Sequence, residues 1–266
     1  MCPKASTKQT LEDPLNGATD RSTVHGSQFT AAGRGSRSTV NGSRSATQKA
    51  LKPIAVYGAG GFGLEVAMLV EQINDVEAEW EMVGFFDDGV AKGDIVNNLP
   101  VLGGMAELNS WTSELWLALG LGIPQTKRQV CGRIFNPNIR FPRLIHPSVI
   151  MGSSRYVNIG EGTVVCAGTI VTTNIFIGRH VTLNLSCTVG HESTIGDFSS
   201  FMPTCNISGE VTIGEGNFWG TGAKVINQKR VGDNVVVGAG AVVTTDLPDS
   251  VTAVGVPAKI IKKREP

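Results

Sequence analysis

From Ile159 to Val243 every sixth residue is apolar: Ile159, Val165, Val171, Ile177, Leu183, Val189, Ile195, Phe201, Ile207, Ile213, Trp219, Val225, Val231, Val237 and Val243. With 41% of the chain apolar, such a run at one phase arises by chance on the order of once in a million. Residues two apart share a face of a strand. The first and fifth positions of a hexad fall two apart across the hexad boundary, so both point into one core. The fifth row agrees, with Thr163, Thr169, Val181, Cys187, Ser193, Ser199, Cys205, Val211, Ala223, Val235 and Ala241; Asn217 and Lys229 are its exceptions. The position after each first-row residue favours glycine, as at Gly160, Gly178, Gly190, Gly196, Gly214 and Gly232. We expect these glycines to turn the corners, because glycine adopts positive φ at least cost. Three hexads close one coil, and stacked coils pair backbone to backbone about 4.8 Å apart. The pattern predicts a three-sided parallel β-helix of five coils, preceded by a partial coil at Ile145, Met151 and Val157 with a two-residue break in phase before Ile159. The strict hexad and the missing aspartate ladder disfavour a right-handed β-helix or a calcium-binding repeat.

The preceding segment, residues 51–142, reads as a Rossmann-like α/β unit. Ile54–Tyr57 is a short apolar strand, Gly58-Ala-Gly-Gly-Phe-Gly63 follows, and Leu64–Ile73 has helical spacing. Met82–Phe86 and Leu115–Leu119 are further strands, the last leading into a glycine-broken loop and Lys127-Arg128. Strand, helix and strand at this spacing predict parallel pairing through crossovers. Residues 1–50 are rich in Ser, Thr, Gly and Arg. They bury too little apolar surface to offset their ordering entropy, so a disordered tail is expected. Their composition fits a dispensable tail or an over-extended start better than a transit peptide, and no secretory signal is evident.

Composition removes several functions. The 23 basic and 23 acidic residues cancel, which leaves no strong field for nucleic acid. No apolar run is long enough to span a bilayer. The five cysteines (Cys2, Cys131, Cys166, Cys187, Cys205) form no CxxC pair and read as reduced thiols of a cytoplasmic protein.

The hexads, the glycine-rich start, Phe86-Asp-Asp88, Thr188-Val-Gly-His-Glu-Ser-Thr-Ile-Gly-Asp-Phe198 and Gly255-Val-Pro-Ala-Lys259 together resemble one branch of the left-handed β-helix acyltransferases. That branch holds the nucleotide-aminosugar N-acetyltransferases and sialic acid O-acetyltransferase-like proteins, the PglD/NeuD family. The resemblance covers about residues 53–263 and implies a left-handed β-helix over residues 143–263. It also implies a homotrimer with acetyl-CoA bound between neighbouring prisms. The expected reaction is acetyl transfer from acetyl-CoA to the amino group of a nucleotide-activated sugar, in bacterial surface glycan biosynthesis. O-acetylation of a sialic acid-type sugar is the alternative.

Within that resemblance His191, at a corner, is the expected general base, suited because imidazole titrates near neutrality. Glu192 would orient it and stabilise the imidazolium. Gly209, one coil above, could offer its N–H to the thioester oxygen. Ser200 stands where the family has a histidine near the thioester, and Asn184 matches a position near the acceptor. The CoA groove is expected along Thr221, Gly222, Ala239, Val256, Pro257 and Lys259, with Lys262 and Lys263 near the phosphates. Gly60, Gly61, Phe62, Asp87, Asp88, Gly122 and Arg128 would meet the nucleotide sugar, Phe62 replacing the family's loop histidine. The GxGxxG spacing with Asp87 would also suit NAD. No metal is expected: a zinc hydratase on the same prism, as in γ-type carbonic anhydrases, needs three converging histidines, and only His180 and His191 lie in the repeat. A catalytically silent scaffold is the remaining reading.

Overall fold

The hexads wind into the three-sided column that their spacing predicts. The computed structural model describes residues 50–263; the tail expected over residues 1–50 lies, but for Ala50, outside the described residues. The first side stacks Leu144–Ile145, Val164–Val165, Thr182–Leu183, Ser200–Phe201, Phe218–Trp219, Val236–Val237 and Val251–Val254, and Lys259–Lys263 closes it antiparallel. The second side stacks six strands from Ile150–Met151 to Val242–Val243, and the third stacks five from Val157–Ile159 to Arg230–Val231. Every pairing between successive coils is parallel and in register, for example Thr188↔Asn206 and Val189↔Ile207. The partial first coil is two residues longer than the rest. Val165 pairs with Ile145 and Val171 with Met151, whereas Ile177 pairs with Ile159.

All fifteen first-row residues are buried. Fifth-row hydroxyls are satisfied by the coil above. Ser199 Oγ donates to Gly214 O (3.2 Å) and accepts from Asn217 N (3.1 Å). Asn217, the polar exception, is fully buried and bridges coils by donating to Gly232 O (2.9 Å) and accepting from Val235 N (3.2 Å). Cys187 and Cys205 are both buried inside the column, each thiol donating to a carbonyl of the next coil.

The corner glycines act differently from the expectation. Positive φ recurs at the fourth hexad position, at every sixth residue from Gly162 to Gly240, with values between 53° and 73°. Most of these residues are not glycine: Asn174, His180, Ser186, Glu192, Phe198, Thr204, Glu210, Gln228 and Asn234. The glycines after the first row are needed because the next coil lies against them. A Cβ on Gly196 would stand 2.6 Å from Glu215 N, and one on Gly190 2.6 Å from Gly209 N.

The α/β unit is a six-stranded sheet. Its elements are β1 (Lys52–Tyr57), α1 (Gly61–Asn74), β2 (Trp80–Phe86), β3 (Ile95–Val96), β4 (Leu99–Gly103), α2 (Met105–Asn109), β5 (Leu115–Leu119), α3 (Pro124–Arg133) and β6 (Ile139–Arg140), in spatial order β3-β4-β2-β1-β5-β6. All pairs are parallel except β3–β4. Buried residues of α1 (Val66, Ala67, Leu69, Val70) share a cluster with Leu144, Val164 and Cys166 of the prism. The sheet unit therefore covers the prism's first side, and the described residues form one compact unit.

Candidate functional site

His191 stands on the second edge, between the second and third sides, two residues after Val189 has turned into the core. Its side chain is 56% exposed, and Nδ1 lies 3.3 Å from Glu192 Oε2. With Nδ1 protonated and donating to that carboxylate, Nε2 carries the lone pair. Glu192 has left-handed backbone (φ 58°), and its N–H donates to Thr173 O of the coil below (3.1 Å). His191 O accepts from Glu210 N above (2.7 Å). The pair is thus fixed by backbone at both levels while both side chains reach solvent. Gly209, one coil above, lies against the ring: a Cβ there would stand 2.5 Å from His191 Nε2.

The residues expected to line the CoA groove gather on another edge, the first. Gly240 N donates to Thr221 O (2.8 Å), and Val242 N to Gly255 O (3.0 Å), which stacks Thr221, Gly222, Ala239 and the Val256-Pro257 turn in one column. Thr221, Ala239, Val256, Pro257 and Lys259 are exposed and Gly222 is half-buried. Val256-Pro257 is a cis peptide. Asn184 sits lower on the same edge, buried, its Oδ1 accepting from Leu185 N (2.6 Å). Ser200 stands where the resemblance implies a residue near the thioester. It is fully buried on the first side, with Oγ unpartnered among the described residues, because the sheet unit covers that side.

A cavity of about 660 Å³ lies at the carboxyl ends of the sheet strands, lined by Tyr57, Gly58, Asp87, Asp88, Leu121, Arg128 and Arg133 among others. Asp87 accepts from Ala59 N (2.8 Å) and Gly89 N (2.7 Å), so it shapes the glycine loop as well as facing the cavity. Asp88 accepts from Met105 N (2.8 Å) and Arg133 Nη1 (3.0 Å). The Met105 N–H, with help from Arg133, holds the Asp88 carboxyl below its usual range. Burial and then Asp88 push the Tyr57 phenol up. Gly60 caps α1, Gly61 begins it, and neither has an atom in the way of an added Cβ. Phe62 is half-buried against the sheet core. Gly122 lies in the open loop before α3. Arg128 pairs with Glu215 (2.9 Å) and lies over Phe198, both on the third edge.

One chain therefore carries the sheet-unit cavity on the third edge, the column expected to line the CoA groove on the first and His191 on the second. Sequence reasoning missed Lys127. It lies on α3, is 1% exposed, and donates to His180 O (2.7 Å) and Thr182 Oγ1 (3.1 Å) of the prism. Burial pushes its ammonium down to about 7. His180 is sealed between Phe141 and Phe198, and burial, then Lys127, pushes its imidazole down to about 4. The two repeat histidines lie on different edges. Among the described residues no group of three His, Cys, Asp or Glu side chains is arranged to hold a metal ion, and no helix is long and apolar enough to cross a membrane.

A Rossmann-like sheet ahead of a hexapeptide prism with an exposed His–Glu corner defines a hexapeptide-repeat acyltransferase. Residues 53–134 match the family model described as the PglD N-terminal domain. The acetyltransferase domain of PglB from Neisseria gonorrhoeae is 32% identical, covers 79% of this chain and 100% of its own, and superposes with a TM-score of 0.73. PerB from Caulobacter crescentus, solved with CoA and GDP-perosamine, is 29% identical over 80% of this chain and 99% of its own, at a TM-score of 0.70. GDP-perosamine N-acetyltransferase of Escherichia coli is 27% identical over 148 residues, 56% of this chain and 66% of the relative's length. This chain belongs to the PglD/NeuD-like family of acyltransferases, and its prism is a left-handed β-helix.

Proposed function

We propose that this enzyme transfers the acetyl group of acetyl-CoA to the amino group of a nucleotide-activated amino sugar, a step in building bacterial surface glycans. The observation that carries this reading is the His191–Glu192 pair, exposed on a rigid edge with Nε2 free to take a proton. The acceptor amine attacks the thioester carbon, and its proton passes to His191 Nε2. Glu192 stabilises the imidazolium so formed. Collapse of the tetrahedral intermediate breaks the C–S bond, and His191 returns the proton to the departing thiolate. Asp87, Asp88, Arg128 and Arg133 would hold the nucleotide sugar in the sheet-unit cavity, with Gly60 and Gly61 at its phosphate end. The first-edge column from Thr221 to Lys259 would hold CoA, its pantetheine amides running along exposed backbone.

The separation of these three groups onto three edges supports a homotrimer in which each site draws on neighbouring copies. A closed ring of copies turns one chain's edge toward another's. We place the enzyme in the cytoplasm, where acetyl-CoA and nucleotide sugars meet. The test is CoA-thiol release with GDP-perosamine and with UDP- and dTDP-aminosugars. His191→Ala is expected to lower kcat by about 10²–10⁴-fold; unchanged release would reject the catalytic role.

A further inference from the structure

Helix α3 stands between two surfaces. Thr126, Arg128, Gln129, Gly132 and Arg133 line the sheet-unit cavity, while Lys127 of the same helix reaches the first side of the prism. Its buried ammonium donates to His180 O (2.7 Å), Thr182 Oγ1 (3.1 Å) and Ser199 O (3.4 Å). Thr182 N donates to the same Ser199 carbonyl (2.9 Å), so Lys127 Nζ sits where two coils are bonded to each other. The lower of these, residues 178–195, is the coil that carries His191 and Glu192. All three N–H groups of the ammonium therefore go to prism oxygens. No carboxylate among the described residues pairs with it, and burial alone acts on its charge. An ammonium buried without a counter-ion costs stability, so holding the fold together does not account for a lysine here. Three converging bonds supply a defined position instead.

We propose that Lys127 is a positioning residue for acetyl transfer: it sets α3, and with it the arginine wall of the sheet-unit cavity, in register with the coil that bears the His–Glu pair. The inference rests on the aminosugar reading above. A slide of α3 by one coil spacing, about 4.8 Å, would break all three bonds. Arg128 also meets the prism, at Glu215 (2.9 Å), but both partners are more than 40% exposed, and such a pair contributes little. Arg133, later on the same helix, bonds Asp88 of the far cavity wall (3.0 Å), so the position fixed at Lys127 carries across the cavity. Every copy in a closed ring has the same latch, so one register holds wherever cavity and histidine meet. Register matters because a misplacement of about 1 Å can lower a rate by about a hundredfold.

The test uses the full chain with acetyl-CoA and whichever of GDP-perosamine and the UDP- and dTDP-aminosugars the wild type acetylates fastest. Lys127→Met, close in length, is expected to lower kcat/KM for the acceptor by about tenfold. Acetyl-CoA KM and sedimentation mass should stay the same, and Tm should not fall. Thr182→Val, which removes one of the three acceptors and keeps the shape, should lower acceptor kcat/KM by about threefold and add nothing to Lys127→Met in the double variant. Wild-type acceptor kcat/KM in Lys127→Met overturns the proposal. So does a fall in Tm with both KM values rising together, which would mark a residue that only holds the fold. Should Lys127→Met not fold, Thr182→Val decides alone, and wild-type acceptor kcat/KM there overturns the proposal. Wild-type enzyme that turns over no aminosugar overturns both this inference and the reading beneath it, whereas active wild type with indifferent variants overturns this inference alone.

Discussion

The imidazole of His191 owes its place to the residue above it. Gly209 was expected to offer an N–H to the thioester oxygen, and the geometry adds a second requirement, since a methyl group there would occupy the space of Nε2. Gly209→Ala should therefore turn the ring away and lower kcat by up to roughly a hundredfold. Steady-state kinetics at saturating acetyl-CoA would check this, and wild-type kcat would show that the ring is not held this way. That His191 and Glu192 face solvent could be read from the sequence, because a six-residue period says which residues leave the core. Ser200 could not. The period correctly directs it out of the prism, but no local pattern shows that the sheet unit will cover that outward face.

Helix α3 is the element least legible in the chain. Its segment, Pro124-Gln-Thr-Lys-Arg-Gln-Val-Cys-Gly-Arg133, lacks an apolar stripe, because the side that meets the prism does so through a lysine. Buried Lys127 has its folded pKa lowered to about 7, so the unfolded chain binds the extra proton between about pH 7 and the ordinary lysine range near 10.4. Unfolding free energy should rise with pH across that window, and the cost of burying the charge is present in full below it. Lys127→Met should remove this pH-dependent part, seen by comparing urea unfolding of the two proteins across the window; identical slopes would refute it. The repeat itself was fully legible as a column, yet spacing reported only that glycine is favoured after the first-row positions. The reason is contact between coils. Gly196→Ala should lower stability by about 1–3 kcal/mol, visible as a drop in Tm, and an unshifted Tm would deny that contact.

At the scale of the whole molecule, a chain that spreads its machinery over three edges makes a prediction about mixtures. His191→Ala supplies an intact sheet-unit cavity, and Asp88→Ala/Arg133→Ala supplies an intact His–Glu pair. Each alone should be inactive. Co-refolded in equal amounts, they should recover about a quarter of wild-type turnover if every site in a closed ring joins one copy's cavity to the next copy's histidine. Mixtures no more active than their parts would mean that one chain completes its own site.

The left-handed backbone at each turn has a consequence for how such enzymes diversify. A non-glycine residue there is strained by roughly 1–2 kcal/mol, yet the column accepts Asn, His, Ser, Glu, Phe, Thr and Gln at that position in turn. The scaffold's solidity comes from its interior and from the hydrogen-bonded stack, so the rim is free to be rewritten one storey at a time. The height of the reactive pair above the base is set by which storey carries it, and moving it by eighteen positions would change what it can reach without recasting the wall.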